Sequence, residues 1–417
     1  MTPTEIRQQV SKLQTRSVQA EEEAWAMLKP LRDEVVRLRY SFTGETMSIR
    51  EQYGLMPVIN ARGTYTPLGV SRSSEHVGRV VAEALGEFFV IDELQTVVSQ
   101  TVARLTGAEA GAVTHCVASG ITLSIAGAMA GDTPEGIAAL PDAGGIPNRV
   151  VLPVGHAIDY GHAILTDIRL AGATPVIAGS DCVCTVHDIE VALDNDLTAC
   201  LLLVSSRLVK GPPVDLEQAV AAAHRRGVPA IIDGAAQDMR IEELLATGAD
   251  IVLVSAHKYM ASPTAGLIIG RKALVQACRA HERGIGRAMK ATKEAIFGVL
   301  AALDERRNLD LNAWRAEQAR KVSWFIERAN EIHGIRASTL PDPVGMPFSR
   351  VCLTVDSSPE YRNAAALANA LREGVPSIWL MEHAANEGRL VLELVPLAED
   401  EMRVIIERVA AVRLVGR

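Results

Sequence analysis

Short apolar runs alternate with stretches of helical periodicity along the middle of the chain, from Val58 to about residue 275. The apolar runs predict β-strands at 112–114, 149–153, 174–177, 199–204, 229–232, 251–254 and 265–269. The periodic stretches predict helices at 121–130, 158–171, 215–226 and 241–247. Strands that alternate with helices form parallel sheets with both faces covered. The pattern therefore predicts an α/β domain with a mostly parallel sheet.

The pattern changes on both sides of this region. Residues 4–40 have charged helical periodicity, which fits either an oligomer contact or a solvated tail. The stretch 288–333 predicts a long helix in two pieces. The last part predicts strands at 350–355, 377–381 and 389–395 and a helix at 398–413. We therefore predict a helical arm (1–57), a large domain (58–287), and a linking helix with a small α+β C-terminal domain (288–417).

Composition and charge exclude several classes of protein. Hydrophobic residues make up 48% and charged residues 22% of the 417 residues, as in a globular protein rather than a disordered chain. The net charge of −8 argues against a large nucleic-acid footprint, and no run of about 20 apolar residues could span a membrane. The polar first thirty residues and the six scattered cysteines, which lack zinc-site spacing, lead us to expect a cytoplasmic protein without a metal site.

Two predicted strands end in polar residues. Asp233 ends the run P-A-I-I-D, and Lys258 follows the run I-V-L-V-S by a few residues. Ligands bind at the carboxyl ends of strands in open α/β sheets, and a buried lysine is costly unless it is paired, deprotonated or covalently used. Each residue alone has a plainer explanation, because a strand-end Asp often caps a helix and a Lys after a strand is usually solvated.

A third element makes the combination more specific. Ser119 and Gly120 follow a predicted strand and open an apolar helix, whose backbone N–H groups would bind a phosphate. The order of a phosphate turn, a strand-end Asp and then a Lys suggests pyridoxal 5′-phosphate (PLP). That cofactor needs a Schiff-base lysine, a carboxylate at its ring nitrogen and a phosphate cradle. Ser255, three residues before Lys258, would add a hydroxyl to the same phosphate.

Several stretches between residues 58 and 303 resemble fold-type I PLP enzymes. Within that class they are similar to the selenocysteine synthase-like group, which includes D-glucosaminate-6-phosphate ammonia-lyase. The stretches are VINARGTYTPLG (58–69), IDELQ (91–95), RLTGAEAGAVTHCVASG (104–120), GHAIDYGHAI (155–164), IIDGAAQ (231–237), SAHKYMASPTAGLIIGR (255–271) and GIGRAMKATKEAIFGVLAAL (284–303). The resemblance implies the fold-type I PLP-transferase architecture.

The resemblance also implies roles for individual residues. Lys258 would be the Schiff-base lysine and proton-transferring base, and Asp233 would keep the pyridine nitrogen protonated. His156 would stack on the ring, although a helix-capping histidine would look the same in sequence. The remaining residues implied to bind the cofactor are Ser119, Gly120, Gln237, Ser255 and Thr264, the last reaching the phosphate of a partner subunit. The smallest active unit would be a homodimer.

Basic residues within the same stretches suggest an anionic substrate. Arg62 would bind a carboxylate, and His162 either contacts substrate or lies on a helix face. Arg287 and Lys290 are three residues apart at the start of a predicted helix, hence on one face. A late DPRT-like turn carries an arginine in this group, but residues 392–396 read L-E-L-V-P here.

We therefore expect a PLP-dependent lyase that forms a Cα carbanion on a small amino acid or amino sugar acid, followed by α,β-elimination to ammonia and a 2-oxo acid. A racemase or an aldolase would use the same carbanion. A PLP transferase acting on aminoacyl-tRNA is a further alternative, against which the acidic charge and the interleaved acids of the arm argue. A scaffold protein or a nicotinamide enzyme is least favoured, since no G-x-G-x-x-G follows the first strand.

Overall fold

The computed structural model of the chain describes residues 48–356 and 363–412, so the predicted arm helices within 4–40 lie outside the described residues. Its strands are β1 (Val58–Asn60), β2 (Ala110–Thr114), β3 (Arg149–Pro153), β4 (Thr174–Ala178), β5 (Thr198–Val204), β6 (Ala230–Asp233), β7 (Ile251–Ser255), β8 (Gly266–Gly270), β9 (Ile335–Pro341), β10 (Ser349–Val355), β11 (Ser377–Trp379) and β12 (Arg389–Leu392). Its α-helices are α1 (Ile49–Tyr53), α2 (Glu75–Leu85), α3 (Ile91–Thr106), α4 (Val117–Ala130), α5 (Pro134–Ala139), α6 (Ile164–Leu170), α7 (Val186–Leu193), α8 (Leu216–Arg225), α9 (Ile241–Ala246), α10 (Lys272–Ala280), α11 (Lys293–Arg307), α12 (Leu311–Ala329), α13 (Ala364–Arg372) and α14 (Glu399–Ala411).

The large domain is built on a seven-stranded sheet in the order β2-β8-β7-β6-β5-β3-β4. Strand β8 runs antiparallel to both of its neighbours, and the other pairs are parallel. The predicted mostly parallel sheet is thus confirmed. In the register, Val204 lies opposite Asp233, and Asp233 lies opposite Leu253. The carboxyl ends of β5, β6 and β7 therefore lie side by side.

The sheet is buried on both faces, as the continuous apolar runs predict. Strand β5 is buried along its whole length. Its side chains alternate between two core clusters, with Leu201 and Leu203 in one and Cys200, Leu202 and Val204 in the other. This two-residue period follows from the pleat of a strand. The first cluster includes residues of α3, α8 and α11, and the second includes residues of α4 and α6.

The small domain has an antiparallel sheet in the order β12-β10-β9, packed against α12, α13 and α14, which confirms the predicted α+β architecture. Its boundaries differ from the predicted ones. Val58–Asn60 pairs in parallel with β11, and Ile59 and Ala61 lie in the small-domain core. Helix α11 packs in the large-domain core and α12 in that of the small domain. Sequence periodicity identifies a short apolar run but does not indicate its pairing partner.

The helix predicted at 158–171 begins only at Ile164. A turn precedes it, in which Gly161 has a φ of 95° and donates its N–H to Asp159 Oδ1 at 2.8 Å. Strand β9 and helix α13 were not predicted at all. No helix within residues 48–356 and 363–412 is both long and apolar enough to cross a membrane.

Candidate active site

Asp233 and Lys258, predicted as a pair, lie at the carboxyl edge of the large sheet. Asp233 is the last residue of β6, and Lys258 lies three residues beyond the end of β7. Burial raises the pKa of Asp233 to about 6, and the positive charge of Lys258 opposes this shift. Burial also lowers the pKa of Lys258, against the attraction of Asp233. The two groups therefore act on each other inside a desolvated cleft.

The carboxylate of Asp233 is held in one orientation. Its side chain is 4% exposed, and Oδ1 accepts the backbone N–H of Ala235 at 2.9 Å. Among the described residues no donor hydrogen-bonds Oδ2. A buried carboxylate with one oxygen fixed and the other open suits a protonated ring nitrogen, because the cationic partner would compensate the buried charge.

His156 is 2% exposed and lies in a turn directly after β3. Its Nδ1 accepts the backbone N–H of Val204 at 2.9 Å, which places the ring proton on Nε2. Burial lowers the pKa of His156 to about 4, so the ring is neutral at pH 7. Because Val204 lies opposite Asp233, this flat neutral ring lies close to the carboxylate and suits stacking on an aromatic cofactor.

The predicted phosphate cradle lies at the start of α4. The helix begins at Val117 without a side-chain cap, so its first N–H groups are free to bind an anion. Gly120 already donates its N–H to the Cys116 carbonyl at 2.9 Å, which leaves the donors to 117–119. A Cβ on Gly266 of β8 would lie 2.5 Å from the Cys116 carbonyl carbon, so only glycine allows this strand to approach the cradle.

The other predicted cofactor residues differ in their surroundings. The Ser255 hydroxyl is buried 3.2 Å from His257 Nδ1. Gln237 is buried, and its Oε1 accepts a hydrogen bond from Arg240 at 3.1 Å. Thr264 is exposed, as a residue reaching toward a second subunit would be.

Two of the predicted substrate residues contact a neighbouring side chain, and the other two are exposed. The Arg62 guanidinium stacks 4.0 Å over the Tyr65 ring, and His162 Nε2 lies 2.7 Å from Asp167 Oδ1. Arg287 and Lys290 are exposed, but the helix expected to carry both begins only at Lys293. They therefore do not share a helix face.

Asp167 also binds Tyr160, which the sequence did not single out. Asp167 is 2% exposed, and its Oδ2 accepts the Tyr160 hydroxyl at 2.6 Å. The negative charge of Asp167 adds to the burial that raises the pKa of Asp233. The Tyr160–Asp167–His162 cluster thus borders the site.

A buried charge network next to Lys258 was also missed. Arg350 Nη1 lies 2.6 Å from Asp342 Oδ2, and its Nη2 lies 2.8 Å from Glu393 Oε2. The hydroxyl of Tyr259 donates to Glu393 at 3.1 Å. Glu393 interrupts the apolar run L-V-L-E-L-V, and this signal could have found it, since charged residues are rarely buried unpaired. The positive charge of Arg207, which follows β5, also acts on Lys258.

Known proteins are similar to this chain over most of its length. The D-glucosaminate-6-phosphate ammonia lyase of Salmonella typhimurium is 34% identical over 363 residues, which cover 87% of this chain and 97% of that protein. The chain belongs to the selenocysteine synthase-like group of fold-type I PLP enzymes. A sequence model of the L-seryl-tRNA selenium transferase family matches residues 214–340.

Further relatives and solved structures are also similar to this chain. A 5′-C-glycyluridine monooxygenase-decarboxylase from Streptomyces is also 34% identical, over 88% of this chain and 92% of that protein. The solved structure of a D-glucosaminate-6-phosphate ammonia-lyase superposes with a TM-score of 0.80 at 32% identity, covering 89% of this chain and 99% of that one. A putative L-allo-threonine aldolase from Listeria monocytogenes, at 16% identity and a TM-score of 0.54, shares the fold.

These relatives imply PLP, and the residues present fit it. The cleft offers a desolvated lysine, a carboxylate with one open oxygen, a flat neutral ring and an uncapped helix start at the carboxyl edge of one sheet. The lysine, the carboxylate and the helix start are the groups that this cofactor needs, and the neutral ring could stack on it.

Proposed function

We propose that this protein binds PLP at Lys258 and catalyses α,β-elimination of an amino acid or amino sugar acid, with release of ammonia and a 2-oxo acid. The observation that carries the proposal is the pair of the buried Asp233 and the half-buried Lys258 at adjacent strand ends, in a chain 34% identical to an ammonia lyase.

Asp233, His156 and Lys258 would have separate roles in the elimination. PLP, when bound, supplies an electron sink for the pair left by the broken Cα–H bond. Asp233 keeps a proton on the ring nitrogen, and His156 packs on the ring face. Burial lowers the pKa of Lys258, which favours the neutral amine that would take the Cα proton. The group on Cβ then leaves, and hydrolysis of the product releases ammonia.

The substrate in this proposal is small and anionic. The name of the ammonia-lyase relative specifies a phosphorylated amino sugar acid, and the exposed Arg287 and Lys290 and the stacked Arg62 supply cations. His162, which is held by Asp167, would also contact the substrate. Ser255 would contact the phosphate of the cofactor, and Gln237 would support the cofactor site.

We also propose a homodimer or larger homo-oligomer in the cytoplasm. Leu85, Phe88 and Val90 expose apolar side chains on one segment, with Phe88 fully exposed, and Thr264 is exposed as well. The six cysteines are free, as is usual in a reducing compartment. Sedimentation of the PLP-loaded protein tests the assembly, and a monomer at all concentrations would contradict it.

A second candidate function is oxidative decarboxylation, because the Streptomyces relative that carries such a name is equally identical. It would consume oxygen and release carbon dioxide, whereas elimination needs no oxygen. Anaerobic turnover therefore separates the two functions.

The test is to incubate the PLP-loaded protein with D- and L-amino acids and amino sugar acids, with and without a phosphate group, in deuterated water. We expect equal amounts of ammonia and 2-oxo acid from at least one compound. Deuterium exchange at Cα without ammonia would indicate a racemase, and release of an aldehyde would indicate an aldolase. Turnover of seryl-tRNA alone would indicate the transferase.

A further inference from the structure

Two arginines from different domains, Arg62 and Arg207, lie near the site, and neither forms an ion pair with a described residue. Arg207 lies two residues after Ser205, whose N–H bonds the backbone carbonyl of Asp233 at 2.8 Å. It therefore lies at the same sheet edge as the Asp233–Lys258 pair. Its positive charge lowers the pKa of Lys258, secondary to burial. Arg207 is accessible to solvent, as a ligand-binding side chain must be.

Arg62 reaches the site from the small domain. The next residue, Gly63, packs against the Glu393 carboxylate so closely that a Cβ would lie 2.6 Å from it. Glu393 in turn accepts the Tyr259 hydroxyl, and Tyr259 is the neighbour of Lys258 in the chain. The loop that carries Arg62 is thereby fixed against the lysine loop.

The charges of Arg62 and Arg207 converge on one neighbour. His383 lies beyond β11, which pairs with β1 ahead of Arg62. After burial, the charges of Arg207 and Arg62 are the next largest causes that lower the pKa of His383. Both arginines therefore lie near enough to His383 for their charges to act on it.

Arg350 is an arginine with a structural role, and it differs from Arg62 and Arg207 in its surroundings. Arg350 is 5% exposed and paired with both Asp342 and Glu393. By contrast, within residues 48–356 and 363–412 neither Arg62 nor Arg207 forms an ion pair, and the Arg62 guanidinium stacks on the Tyr65 ring. Burial lowers the pKa of Arg207, and the like charge of Arg350 adds to this effect, against the attraction of Glu393 and Asp342. A bound anion would offset the cost of this burial and of the nearby like charge.

We propose that Arg62 and Arg207 together bind an anionic group of the substrate, a carboxylate or a phosphate, from opposite sides of the cleft. This inference rests on the proposed function and deepens it. Glu393 lies in the late segment where the resemblance implies an arginine. Arg350 is already paired with Asp342 and Glu393. The anion is therefore held by arginines from other elements. Both guanidinium groups offer the planar fork that suits oxyanions.

Calorimetric titration with two unreactive anions, maleate and inorganic phosphate, tests the proposal at low ionic strength. We expect the wild-type protein to bind one of them, and Arg62→Gln and Arg207→Gln each to weaken that binding at least tenfold. Arg207→Lys should recover part of the loss. The anion that binds distinguishes a carboxylate from a phosphate subsite.

The matched control is Lys210→Gln, which removes an exposed cation from the loop that carries Arg207. It should leave anion binding unchanged. If the wild type binds neither anion, or if Arg207→Gln binds both like the wild type, the proposal is overturned. Titration needs no cofactor signal, so failure of PLP to bind would overturn the proposed function without affecting this result.

Discussion

At the scale of single residues, a second buried carboxylate lies near Lys258. Asp238 is 1% exposed, and its Oδ1 has no hydrogen-bond partner in the described part of the chain. Burial raises the pKa of Asp238 to about 6, although the charges of Arg306 and Lys258 oppose the shift. The protonated form is thus favoured in the folded protein relative to the unfolded chain.

This leads to a prediction for Asp238→Asn. A carboxyl group whose folded pKa is about 6, against 3.8 unfolded, contributes stability below pH 4 that is lost as the pH rises through 6. The wild-type apoprotein should therefore lose up to about 3 kcal/mol relative to the variant between pH 4 and pH 7. Urea unfolding at both pH values measures this, with the exposed Asp304→Asn as control. Parallel pH dependence of wild type and Asp238→Asn would refute it.

The sequence singled out Asp233, Lys258 and His156 because each is a polar residue at the end of an apolar strand or within three residues of it. Arg207 also follows a strand, but nothing in the local pattern distinguishes it from a solvated loop arginine. Its neighbours are Arg350 and Glu393, more than 140 positions further along the chain. Such contacts depend on the tertiary fold, and sequence periodicity contains no record of them.

At the scale of elements, the geometry of α4 depends on the strand behind it. Gly266 of β8 faces the Cys116 carbonyl and the Val117 nitrogen, and a Cβ on this glycine would lie within 3 Å of both. The contact with Gly266 therefore fixes the position of the N–H groups that would bind a phosphate.

Gly266→Ala should therefore displace the start of α4. We expect PLP affinity to fall about tenfold and the free energy of unfolding to drop by about 1–3 kcal/mol, as in other overpacked sites. Fluorescence titration with PLP and urea unfolding measure the two effects. Gly144→Ala serves as the control, because a Cβ there meets nothing within 4 Å and the backbone has no left-handed φ. Wild-type affinity in Gly266→Ala would contradict this account of the cradle.

The sequence predicted the bounds of regular strands better than the start of a helix that follows a turn. The strands of the large sheet match their apolar runs to within two residues at either end. The helix predicted from residue 158 failed at its start because Asp159 and Gly161 form a turn, and a helical spacing of apolar residues cannot reveal it.

At the scale of the whole molecule, the buried network of Arg350, Glu393 and Tyr259 joins the two domains. Arg350 lies on β10 and Glu393 follows β12 in the small domain, whereas Tyr259 belongs to the lysine loop of the large domain. The network therefore fixes the width of the cleft.

Glu393→Gln should weaken this connection. It leaves Arg350 with one carboxylate, so we expect a loss of about 3 kcal/mol in the free energy of unfolding. The maleate or phosphate affinity should also fall, because Arg62 is positioned through Gly63. Glu387→Gln, which removes an exposed partner of Arg389, should cost less than about 1 kcal/mol. Equal effects of the two substitutions would show that the network does not hold the domains.

The overall architecture followed from the alternation of strands and helices, because that order leaves few packing arrangements. The assignment of β1 to the small domain did not follow, since three residues carry too little pattern to indicate a partner more than 300 positions away.

The central claim is that Lys258 holds PLP in this cleft. The most direct measurement is the visible absorbance of the purified protein and of Lys258→Ala after incubation with PLP, before and after borohydride reduction. We predict an imine band in the wild type alone, with the reduced cofactor fixed covalently to the peptide that contains Lys258. A wild type that stays colourless, or a label on another lysine, would contradict the account.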